Sequence, residues 1–130
     1  MPYQTHYTQM GADVRFTGVA TGAEIVEAKV RALAHPYAGP LRFLLFDLAG
    51  AERVDVPTAA VREVAREDRA YAASHPPSAI AVVAPHDLEY GLSRMWQAFV
   101  DDTPIQSNVA RSRSEALRWL AGRGVDVDGL

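Results

Sequence analysis

Leu41-Arg42-Phe43-Leu44-Leu45-Phe46-Asp47-Leu48 is the most hydrophobic stretch of the chain, and its reading decides the fold. Phe43 to Phe46 is an unbroken apolar run. Continuous apolarity over so short a length predicts a strand covered on both faces, because a strand wet on one side alternates apolar and polar residues. Asp47, Ala49 and Gly50 mark its C-terminal exit. A second run of the same kind, Ala79-Ile80-Ala81-Val82-Val83, is closed by Pro85 and predicts a second sandwiched strand. Placed side by side, the two would share a rim at their C-terminal ends, where ligands of open α/β sheets gather.

Working outward, helical patterns separate the strands. Thr21-Gly22-Ala23-Glu24 is a capping box that opens a helix ending at His35-Pro36, with Val26, Val30 and Leu33 on its inner face. A second helix spans 57–74, with Val61, Val64, Ala65 and Ala72 turned inward. A third starts near Asp87 and carries Leu88, Leu92, Met95 and Phe99 at helical spacing. Ser112-Arg113-Ser114-Glu115 reads as another capping box, before Ala116, Leu117 and Leu120. Residues 3–9 and 13–19 read as strands joined by a hairpin, and 105–110 as the last strand. The order is β-β-α-β-α-β-α-β-α. It predicts an α/β fold with a mainly parallel five-stranded sheet and an antiparallel edge strand. One domain over 1–124 is expected, with a frayed tail at 125–130.

The chain has 130 residues, 48% of them apolar, which suffices for a core without disulfides or metals. Net charge is -3, so neither nucleic acid nor an anionic membrane is an expected partner. The absence of cysteine removes thiolate chemistry and Cys-ligated zinc. No two of the four histidines stand at i, i+4, and no metal or other cofactor is expected. The opening Met1 to His6 has no basic leader and no apolar run, and no segment reaches the length of a spanning helix. Cytoplasm is the expected location. No Walker loop, His-Glu-x-x-His or Gly-x-Ser-x-Gly motif occurs, which lowers the expectation of an enzyme.

Several segments carry a family resemblance: Phe43 to Leu48, Ala79 to Val83, Tyr90-Gly91-Leu92-Ser93-Arg94-Met95-Trp96, and Ser114-Glu115-Ala116-Leu117-Arg118-Trp119-Leu120. With the element order, they make the chain resemble the SpoIIAA-like proteins of the STAS/SEC14 superfamily, from about residue 10 to 121. The resemblance implies a curled sheet with helices largely on one side, and a regulatory binding module. Some members are switched by phosphorylation of a Ser or Thr after the central strand. The matching stretch here, Gly50 to Thr58, has no Asp-Ser-Ser-Gly-type motif, and Thr58 is its only hydroxyl. The SEC14 branch implies an alternative, a carrier of an apolar ligand between the sheet and the second and third helices.

The candidate site residues follow from these placements. Asp47 stands at a strand exit, where it can meet a ligand or cap its own turn. Thr58 can accept phosphate or cap the second helix. His86, with Asp47 or Glu89, is the candidate for acid–base chemistry. Tyr90 belongs to the same polar cluster. Arg94 and Trp96 flank the apolar stripe of the third helix, either as interface anchors for a protein partner or a homodimer, or with Trp96 widening the core face and Arg94 paired to Asp101 or Asp102. Asp68 falls on the inner stripe of the second helix and needs a cation, expected to be an Arg. Arg111, Arg113, Arg118 and Arg123 read as a solvated basic face. The function expected is binding of a protein or small anionic ligand through loops 47–58 and 84–90.

Overall fold

The computed structural model describes residues 2–35, 43–75 and 78–130. Pro36, Leu41 and Arg42 lie outside the described residues. Seven strands and four helices form among the described residues: β1 (Tyr3–Tyr7), β2 (Gly11–Phe16), β3 (Gly18–Thr21), α1 (Gly22–Ala34), β4 (Phe43–Asp47), β5 (Ala51–Asp55), α2 (Thr58–Ala72), β6 (Ala79–Val83), α3 (Asp87–Val100), β7 (Gln106–Ala110) and α4 (Arg113–Gly122).

The two apolar runs are neighbours at the centre of the main sheet, whose order is β1-β2-β4-β6-β7. β4 and β6 pair in parallel with Phe43 opposite Ala79 and Asp47 opposite Val83, and every residue of both strands is buried. β1 is the antiparallel edge. Alternation sends Leu44, Phe46, Ile80 and Val82 to one face, under α1, α2 and α3. Phe43, Leu45, Ala79, Ala81 and Val83 point to the other face, under α4. Three of those five are small or short, which lets Ala116 and Leu120 of α4 pack close to the sheet.

Two strands were not foreseen as such. The run 13–19 divides at Gly18, whose φ of 63° only glycine adopts without strain. The chain leaves the main sheet there, and β3 pairs in parallel with β5 in a separate two-stranded ribbon. β5, Ala51-Glu52-Arg53-Val54-Asp55, buries only Val54, so its sequence has no strand-like alternation over more than one period. Gly11 marks a different constraint: a Cβ there would lie 2.2 Å from the Phe43 carbonyl oxygen.

Thr21 and Glu24 form the expected capping box. The inner face of α1, however, is Ala28, Lys29 and Ala32, and Val30 is exposed. In α2 the buried stripe is Val61, Val64, Ala65 and Asp68, while Ala72 is only half-buried. At α4, Ser112 accepts the Glu115 amide, but Glu115 turns to the Arg111 amide, so the second capping box is half made. The 125–130 segment lies against the α4 side of the sheet, with Val125 buried and Val127 and Leu130 packed on that core.

Candidate functional site

The face of α3 turned to the interior is Glu89, Ser93, Trp96 and Val100. This corrects the expected stripe: Leu88 is 61% exposed, and Leu92, Met95 and Phe99 are only partly buried. A polar residue at two of four interior positions has a local cause. Glu89 accepts the His86 backbone amide at 3.0 Å, closing the first turn of α3 where the helix dipole favours a carboxylate. Ser93 follows one turn later on the same face.

Both residues line a cavity of about 70 Å³ between the three-helix face of the sheet and the β3–β5 ribbon. Phe46, Ile80 and Val82 come from the sheet, Val54 from the ribbon, and Val61 and Val64 from α2. Ile25, Val56 and Leu92 also line it and are half-buried, which marks its mouth. Apart from Lys29, Glu89 and Ser93, the lining residues are apolar, with Trp96 contributing its indole.

Lys29, the sole lysine of the chain, is 2% exposed. Its Nζ lies 2.9 Å from Asp68 Oδ1 and over the rings of Phe46 and Trp96, at 4.5 and 5.6 Å from their centroids. Trp96 Nε1 donates to Asp68 Oδ2 at 2.8 Å. The expected partner of Asp68 was an Arg; it is this Lys, whose compact ammonium fits between two ring faces. The group ties α1, α2 and α3 together. Trp96 is therefore 5% exposed and not a surface anchor.

The other face of the sheet carries a second charge network. Arg113, the first residue of α4, donates to both Asp13 oxygens at 3.2 and 2.6 Å and to Asp47 Oδ2 at 2.8 Å. Asp47 Oδ1 takes the Ala49 amide at 2.8 Å, and Arg15 Nε donates to Asp13 at 3.1 Å. Burial opposes the Arg113 charge, but the hydrogen bonds to Asp13 and Asp47 outweigh it and its pKa is raised. Asp47 thus works inside the fold, capping its own turn and anchoring α4. Sequence reasoning placed Arg113 on a solvated face; nothing local pairs it with acids 66 and 100 positions away. A polar hollow of about 390 Å³ beside this network is lined by Gln4, His6, Asp13 and Arg15, and its charged groups already hold one another.

Among the described residues, no hydrogen bond or ion pair joins the remaining candidates to Asp47. Thr58 is exposed in the first turn of α2, and the N-cap position is Pro57, so Thr58 is not the cap. His86 is exposed at the head of α3, and its backbone, not a catalytic arrangement, engages Glu89. Tyr90 is half-buried under the Arg111 guanidinium, 3.9 Å from its ring centroid. Arg111 also reaches Asp87 and the Pro85 carbonyl, which pins loop 84–90 to the start of α4. Arg94 bonds Gln97 at 2.8 Å on an exposed surface; Asp102 instead pairs with Arg69.

The fold has a counterpart among solved structures. An uncharacterised protein of the DUF3478 family from Shewanella loihica, described as having a SpoIIAA-like fold, superposes with a TM-score of 0.52. The match covers 91% of each chain at 15% identity. No family model matches this chain, and no curated protein does. The chain therefore has a SpoIIAA-like fold, as its sequence motifs suggested. None of its described helices is long and apolar enough to cross a membrane.

Proposed function

We propose that this chain is a non-enzymatic binding module that takes a small, largely apolar ligand beneath loops 47–58 and 84–90. One observation carries the reading: the space below those loops is walled by apolar side chains and interrupted by only three polar ones. Apolar lining with a few convergent polar groups is the common form of a small-molecule site. The rim itself offers less. Asp47 is already engaged by Arg113 and the Ala49 amide, so it has little capacity left for a ligand. The volume, about 70 Å³, is well below the ~300 Å³ at which drug-sized sites begin, so the ligand is a small molecule and not a diacyl lipid.

Native mass spectrometry of freshly purified protein tests this. A bound species below lipid mass, released on denaturation and lost in a Val64→Trp variant that fills the cavity, is the expected result. A clean apo mass that stays clean after exposure to a library of small apolar compounds refutes it. A second reading, a protein partner or second copy at the same rim, is favoured by Leu88, 61% exposed at the head of α3. Sedimentation of the wild type and of Leu88→Asp across concentration tests that one; identical monomer behaviour in both removes the second copy.

A further inference from the structure

The cavity's polar groups differ in how much of their hydrogen-bonding capacity the protein uses. Ser93 is 8% exposed and lines the cavity, yet its hydroxyl has no hydrogen-bond partner among the described residues. Glu89 is 5% exposed, and only its Oε1 is occupied, by the His86 amide. Neither the Ser93 hydroxyl nor the second Glu89 oxygen is among the fully enclosed polar atoms that lack a partner, so both stay reachable from the cavity and can be taken up by a ligand. The two side chains are four residues apart on one helix and line the same space, so one head group can reach both. The third polar group, Lys29, is already neutralised by Asp68 at 2.9 Å.

The charge balance follows. Lys29 and Asp68 cancel, and the Glu89 carboxylate, held by the His86 amide at the head of α3, is the remaining charged group of the lining. A ligand carboxylate or phosphate would meet Glu89 with no free cation to offset it. A hydroxyl or an ammonium would give a hydrogen to the spare Glu89 oxygen; either can also donate to the Ser93 oxygen, and the hydroxyl can accept from it as well. Resting on the binding reading above, we infer that the ligand is a short amphipathic molecule whose head donates hydrogen bonds, an alcohol or amine and not an acid. Its hydrocarbon end would lie against Val61, Val64, Ile80 and Val82.

A matched series of n-pentylamine, 1-pentanol and pentanoate tests the class with chain length held constant. Trp96 lines the cavity and reports occupancy by fluorescence, in a Trp119→Phe background that silences the second indole. The amine and alcohol should bind at least about tenfold more tightly than the acid, a difference of about 1.4 kcal/mol. Glu89→Gln keeps an oxygen for the His86 amide and turns the spare acceptor into a donor, so it should weaken the amine and strengthen the acid. Ser93→Ala, which does not touch the helix cap, should weaken amine and alcohol together. Tightest binding by pentanoate in the wild type overturns the class while leaving the binding reading intact. Binding by none of the three overturns the binding reading itself.

Discussion

The two charge networks sit on opposite faces of one sheet and solve the same problem in different ways. On the three-helix face, Asp68 is held by a lysine and an indole in a place almost without water; its side chain is 1% exposed and that of Lys29 2%. On the α4 face, Asp13 and Asp47 share one arginine whose side chain is 22% exposed. A guanidinium is a planar fork that can satisfy two carboxylates at once, and its outer edge stays hydrated. An ammonium is a point charge that can be enclosed by ring faces. The lysine pair therefore pins three helices and makes the cavity floor polar without leaving it charged. The arginine fork fastens α4 to β2 and β4 near the rim, and in doing so removes Asp47 from ligand binding.

The largest effect expected from this difference is at Asp68. Asp68→Ala leaves the Lys29 ammonium and the Trp96 N–H without their partner in an apolar site, and should cost about 3–5 kcal/mol in urea unfolding. Replacing both charges, Lys29→Met with Asp68→Leu, should recover most of that loss, because buried pairs exchanged for hydrophobic residues are often neutral. A single variant within about 1 kcal/mol of wild type would show that water already reaches the pair.

Arg113→Ala should come next, at about 2–3 kcal/mol, since it strips two carboxylates of their fork but leaves them near the rim, where water can replace it. Asp13, 0% exposed, keeps Arg15 as its cation among the described residues. Because the Arg113 pKa is raised, its stabilising contribution is fully present below the ordinary arginine value and is lost only as pH climbs through the raised one. Alkaline titration to pH ~10 should leave the α4 contact intact. A loss from Arg113→Ala larger than that from Asp68→Ala would reverse the comparison.

How far the two regions were legible follows from the same physics. β4 and β6 announce themselves because a strand buried on both faces has nothing to alternate with. The need of Asp68 for a cation was readable from its place on the inner stripe of α2, but its identity was not. The available signal was that the chain's one lysine falls between Ala28 and Ala32 on α1, where arginine supplies every other basic residue. The inner face of α3 was misread for a more instructive reason. Periodicity selects the most apolar stripe, Leu88 to Phe99, whereas the true interior face holds Glu89 and Ser93. A buried stripe loses its hydrophobic signature where it lines a polar-floored cavity, so the misreading falls on the candidate site itself. The fork on the other face was illegible because it joins residues 100 positions apart.

The smallest effect is expected beside the largest. Arg69 follows Asp68 in α2 and also reaches α3, through Asp102 and the Phe99 carbonyl. Here both side chains are exposed, at 45% and 70%. The hydrogen bond from Arg69 holds the Asp102 carboxyl below its ordinary value. The contribution is thus present above the ordinary carboxylate range and is lost as pH falls through the lowered one. In water and salt such a pair contributes little, because solvent competes for both charges and each long side chain loses freedom. Asp102→Asn should leave the urea midpoint unchanged at physiological ionic strength, with at most a slight loss appearing at low salt and vanishing in acid. If Asp102→Asn instead matched Asp68→Ala, burial would not be what separates adjacent positions of one helix, and the enclosed lysine would lose its claim to hold the three helices together.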